Sequence, residues 1–115
     1  MERSKLNRAY LSGADFIDAY LHQAELIKAN LVGADLRGAI LTNANLTGCN
    51  LGGADLSNAD LSQTNLTEAV LIGANLTGTN LKGSIILGCN FQEANLVEAI
   101  FDDEFANNLD SKQTS

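Results

Sequence analysis

The chain has no tryptophan and no proline, and aromatic residues make up 5% of its 115 positions. A compact irregular domain fills its core with large aromatics and marks its turns with proline. A more regular construction is therefore implied. Long hydrophobic runs are also missing, since a polar residue falls every few positions, too often for a membrane-spanning helix. Residues 1–20 lack the apolar stretch of a secretory signal. Positive charge is scarce: seven Lys and Arg stand against fourteen Asp and Glu, a net charge of −7. That balance argues against direct nucleic-acid binding and against adhesion to anionic membranes. Two cysteines without a secretory signal point to a reducing cytoplasm and free thiols.

What the chain does have is a period of five. Every fifth residue from Leu6 to Phe101 is large and apolar: sixteen Leu, Ile86, Phe16, Phe91 and Phe101, without an exception or insertion. Two positions earlier, from Ser4 to Ala99, stand fourteen Ala with Ser4, Cys49, Thr64, Thr79, Ser84 and Cys89, all small. The residue between is Asn or Asp twelve times. A helix spreads every fifth residue around its circumference, and a long strand flips its face at each step of five. The period fits a short extended piece followed by a turn. Ala and Leu, two apart, then point to one side and Asn/Asp to the other.

The last two residues of each unit must bend the chain. The second of them is Gly nine times, as in Gly13, Gly33 and Gly53, and Asn at Asn43 and Asn58. A type II turn beginning at Leu needs positive φ at this place. Where Asp18, Lys28, Glu68, Glu93 or Glu98 stands there instead, a different turn type is expected.

This Ala-Asn/Asp-Leu-x-x unit, unbroken over residues 4–103, resembles the pentapeptide-repeat family. The resemblance implies an all-β fold, a right-handed quadrilateral β-helix with four pentapeptides per turn. Lys5, Tyr10, Tyr20, Glu25, Ile40, Val70, Ile85 and Ile100 depart from Asn/Asp, all at outward positions. Twenty units make about five coils, roughly 24 Å of shaft at a strand spacing near 4.8 Å. The β-helix is expected over 1–103. Residues 104–115 are expected to form a C-terminal cap and frayed tail. Phe101, Phe105, Ala106 and Leu109 fall at helical spacing after the last repeat, and Asp102 or Asp103 could start a short helix.

Such a shaft is filled by its own Leu and Ala, so binding falls to a face or an end. Cys49 and Cys89 share an inward column two coils apart, too far for a disulfide or a shared metal. His22, the single histidine, stands in a corner column with Thr42, Ser62 and Lys82, without a nucleophile or a carboxylate at triad spacing. No phosphate loop, zinc signature or dinucleotide fingerprint occurs. No enzyme activity, cofactor or metal is therefore expected.

The candidate partner-binding residues lie outward. Asp15, Asp35 and Asp55 share one column, flanked on the same side by Asp18 and Glu98, with Arg37 in opposition. Tyr20 stacks near Ile40, and Val70–Ile72 and Ile85–Leu87 are further exposed apolar pairs. The first reading is a cytoplasmic interaction or scaffold module that binds a protein through an outer face. The resemblance also implies an alternative, a DNA mimic that regulates a type II topoisomerase through the acidic face. The family is abundant in cyanobacteria. Arg3, Lys5 and Arg8 outweigh Glu2 at one end, while acidic residues dominate 93–115. The coil ends are where copies of the chain would associate.

Overall fold

The computed structural model describes residues 1–102. The chain winds into a four-sided β-helix of twenty residues per turn. Parallel bridges join residues twenty apart, from Lys5 with Glu25 through to Asn80 with Ile100. The four faces carry, in chain order, the columns that start at Lys5, Tyr10, Asp15 and Tyr20.

Each unit follows from three kinds of backbone bond. The Ala-position N–H closes a turn onto the preceding Leu carbonyl, as Ala29 does with Leu26 at 3.1 Å. The Leu-position N–H reaches the next coil, Leu26 to the Asn45 carbonyl at 2.8 Å, and Asn45 N–H returns to the Ala24 carbonyl at 2.9 Å. The turn's third residue also donates upward, Lys28 N–H to the Thr47 carbonyl at 2.8 Å. Stacking thus consumes the backbone polar groups that a buried chain must satisfy.

The inward assignment holds. Leu21 through Leu81 at five-residue steps are at most 1% exposed, and the small residues from Ala24 to Ser84 are buried between them. A fully buried Leu contributes roughly 1.5–3 kcal/mol relative to an exposed one. Thr64, Thr79 and Ser84 bring hydroxyls into this column, and each donates to a backbone carbonyl, of Leu41, Leu56 and Leu81 respectively, at 2.6–2.8 Å. Toward the two ends Leu6, Leu11, Ile86, Leu96 and Phe101 are only half-buried. Phe91 and Phe101 meet edge to face near the C-terminal end, with centroids 6.3 Å apart.

The turns correct one expectation. Asp18, Lys28, Glu68, Glu93 and Glu98 do not change the turn type. Their φ values of 58–60° match the left-handed conformation of Gly53 at 64°. A side chain there costs about 1–2 kcal/mol. At Asp18, Lys28 and Glu68 the coil imposes it anyway, because the N–H of this residue meets the next coil: Asp18 donates to Arg37, Lys28 to Thr47 and Glu68 to Leu87. Several such side chains lie over a glycine twenty residues on. Lys28 covers Gly48, Asn58 covers Gly78 and Glu68 covers Gly88. The expected cap over 104–115 lies outside the described residues.

Candidate functional site

The outward Asn and Asp side chains are structural before they are functional. Every one accepts the N–H two residues on, from Asp15 with Ile17 at 3.0 Å to Asn95 with Val97 at 3.1 Å. That N–H points away from the coil ladder, and a short Asx side chain is the local group able to satisfy it. Where Ser or Thr follows, its hydroxyl donates to the same oxygen, as Thr47 does to Asn45 and Ser57 to Asp55, at 2.6–2.7 Å. At Ile27, preceded by Glu25, the acceptor comes instead from Asn7 of the coil before, at 2.9 Å.

The structure brings most of the candidate residues to one corner. Asp15, Asp35 and Asp55 are successive bridge partners on the third face. Arg37 forms a two-pronged bond with Asp35, Nε to Oδ1 at 2.9 Å and Nη2 to Oδ2 at 2.7 Å, and stands 3.9 Å from Asp55. Arg37 holds the Asp35 carboxyl below the usual carboxylate range, chiefly through this side-chain bond, against a smaller opposing effect of desolvation, with its backbone N–H and its charge adding less. Asp15 lies one coil further toward the N-terminus. Asp18 sits on the corner between the third and fourth faces, over Gly38. Tyr20 and Ile40 are bridge partners on the fourth face, 48% and 37% exposed.

Between these groups runs a shallow depression of about 320 Å³, lined by Ile17, Asp18, Arg37, Gly38, Ser57 and Asn58. Its apolar wall, Ile17, was not singled out from the sequence. The signal was there, because Ile17 and Arg37 are twenty apart and flank the acidic column. Glu98 does not join this group. It occupies the same corner column as Asp18 but four coils along, about 19 Å away at the strand spacing.

The remaining reactive side chains have quieter surroundings. His22 stacks on Tyr20, with centroids 5.9 Å apart and planes 16° from parallel, and its Nδ1 meets Thr42 Oγ1 at 2.6 Å. Cys49 is buried and Cys89 half-buried, both as free thiols. Burial pushes each thiol up to about 12, so neither is a thiolate nucleophile near neutral pH.

The model of pentapeptide repeats matches residues 4–43, 44–83 and 74–103. The chain belongs to the pentapeptide repeat family. Solved relatives share its right-handed quadrilateral β-helix. A pentapeptide repeat protein (Rfr23) from the cyanobacterium Cyanothece 51142 is 38% identical, with a TM-score of 0.76, over 77% of this chain. The chain spans 60% of the length of that protein. A pentapeptide repeat protein of the Arabidopsis thaliana thylakoid lumen is 36% identical, with a TM-score of 0.68, over 92% of this chain and 74% of its own. One from Nostoc Pcc 7120 is 32% identical, with a TM-score of 0.55, over 88% of this chain and 86% of its own. A search of the curated proteins returned no match. Among the described residues, no helix is long and apolar enough to cross a membrane.

Proposed function

We propose that this pentapeptide repeat chain is a non-catalytic interaction or scaffold module that binds a protein partner through the corner between its third and fourth faces. The observation that carries this reading is the pairing at one corner of an acidic column with an exposed apolar strip. Arg37 is committed to Asp35, which leaves Asp15 and Asp18 facing outward beside Ile17 and Tyr20. A partner offering cationic side chains next to an apolar one matches that pattern. Glu98 would contribute only to a long partner that follows the corner column. The packed interior supports an outside site, because Leu and Ala occupy the axis of the shaft.

The test is capture from the native host with wild-type bait and with Asp15→Asn, Asp35→Asn and Asp55→Asn combined. A partner retained by the wild type and lost by a folded triple variant supports the reading. Equal capture by both removes the acidic column from it. Recovery of type II topoisomerase subunits by the wild type alone would direct the reading to DNA mimicry.

We also propose a shaft of about five coils closed by residues 104–115 as a C-terminal cap. Val97, Ile100, Ile85 and Leu87 form an exposed apolar band around the last coil. Asp102, the last described residue, lies against that band, and its carboxylate accepts Gly83 N–H at 3.1 Å. Truncation after Asp103 is expected to lower the melting point, and an unchanged melt would contradict the cap. A cytoplasmic location is proposed from the free thiols. Fractionation of the native host tests it, with a lumenal location, as in the Arabidopsis relative, as the contrary outcome.

A further inference from the structure

Building on the reading of that corner as the partner-binding site, we propose that the depression between the third and fourth faces is a socket for one lysine side chain of the partner. Its lining groups divide into donors and acceptors, and the backbone donors are all spent. Ile17 N–H goes to Asp15 Oδ1, Arg37 N–H to Asp35 Oδ1 and Ser57 N–H to Asp55 Oδ1. Asp18, Gly38 and Asn58 donate to the Arg37, Ser57 and Thr77 carbonyls of the next coil. The Ser57 hydroxyl gives its proton to Asp55 Oδ1 at 2.7 Å, so its lone pairs are left to accept. Arg37 spends Nε and Nη2 on Asp35.

Acceptors are what the socket still offers, above all the Asp18 carboxylate and Ser57 Oγ. Among the described residues, Asp18 makes no ion pair. Charge points the same way. Asp15, Asp18, Asp35 and Asp55 stand against the single guanidinium of Arg37, four negative charges to one positive. The occupant that matches is positive, donates and accepts nothing, which describes an ammonium. Ile17, 43% exposed, is the apolar wall along which the stem of a lysine lies.

Gly38 sets the position of the charge. With φ of 68° and no side chain, it leaves room for Asp18 Oδ1, which lies where a Cβ would stand. That oxygen rests against the backbone, so Asp18 presents its other oxygen to an incoming group. A guanidinium fork loses its two-pronged bond there, whereas a point-charge ammonium needs only one oxygen. The selection of lysine over arginine thus follows from a glycine one coil above the carboxylate.

Nuclear magnetic resonance on the full chain at low ionic strength tests this with small probes and without a partner. Nα-acetyl-lysine methylamide should shift the Asp18, Gly38 and Ser57 amide signals saturably. The norleucine analogue, which keeps the stem and has no ammonium, should not. Asp18→Asn should weaken the lysine probe by about two- to fivefold, the worth of an exposed ion pair. The turn tolerates Asn, as Asn58 shows at φ of 59°. Glu68→Gln makes the same change of net charge at the opposite corner and should leave the affinity unchanged. Gly38→Ala keeps every charge but sets a methyl group where Asp18 Oδ1 lies, and should also weaken the probe. Equal shifts from norleucine, tighter binding of the arginine analogue, or equal losses from Asp18→Asn and Glu68→Gln would overturn the socket. A partner lost by the triple variant of the capture experiment yet held at full strength by Asp18→Asn would overturn the socket alone. A lysine response that depends on Asp18, with capture unaffected by the triple variant, supports the socket and removes the acidic column from the partner reading.

Discussion

The left-handed turns make a quantitative test of how the coil governs its corners. Gly53 has φ of 64° and open space around the position of an added Cβ, so Gly53→Ala introduces backbone strain and nothing else. That strain is about 1–2 kcal/mol, offset by about 0.4–1 kcal/mol because Ala restricts the unfolded chain more than Gly does. A net loss of about 0.5–1 kcal/mol follows, a fall in melting temperature of roughly 2–8 °C for a domain of this size. The reciprocal change, Glu68→Gly, relieves the same strain at φ of 59° and loses the contact of the Glu68 side chain with Gly88. It should raise the melting temperature by a smaller amount. Both variants should melt cooperatively by circular dichroism. If Gly53→Ala melts at or above the wild-type temperature, or if Glu68→Gly lowers it, the turn at these corners is not under left-handed strain and the account of the coil fails.

The fold was legible because the period of five ties inward and outward positions to sequence number without ambiguity. Leu56 and Ala54 could be placed inside from spacing alone. The turn type at Asp18, Lys28 and Glu68 escapes local sequence preference for a definite reason. Local preference says that Glu68 avoids positive φ, but its N–H must reach the Leu87 carbonyl of the next coil, and the stack overrides the preference. The Asx bonds of Asn65 or Asp60 were readable in principle, since acceptor and donor lie two residues apart, but the outward direction of these side chains hid their local role. The column Asp15–Asp35–Asp55 and the pair Tyr20–Ile40 followed from the twenty-residue coil. The grip of Arg37 on Asp35 did not, because the rotamers of a long exposed side chain are not set by spacing. Glu98 was assigned to the same side correctly, yet side alone does not give distance along the shaft.

Leu56 is fully buried at mid-shaft, so Leu56→Asp should abolish cooperative folding. An unpaired buried carboxylate costs several kcal/mol against a total of about 5–15 kcal/mol for a domain, and a near wild-type melt would refute the inward assignment. The two thiols should resist a bulky reagent near neutral pH and both react after denaturation. Cys89, half-buried in the last coil, should label before Cys49, and the reverse order would contradict the placement of the coils. Asp15, Asp35 and Asp55 lie about 5 Å apart along their column, so their charges repel, and salt weakens that repulsion. Asn fits the same slot, because Asn75 and Asn95 continue the column and accept the same turn N–H at 3.0 and 3.1 Å. Asp15→Asn should therefore raise the melting point at low salt and leave it unchanged at high salt. Asp35→Asn should differ, because it also removes the two-pronged bond with Arg37. The folded Asp35 carboxyl is held below its ordinary range, so the stability it contributes is present above about pH 4 and is lost as pH falls through the folded value. Between neutral and acidic pH the wild type should lose more melting temperature than Asp35→Asn does. Parallel acid profiles for the two proteins would show that Arg37 does not hold Asp35 in solution.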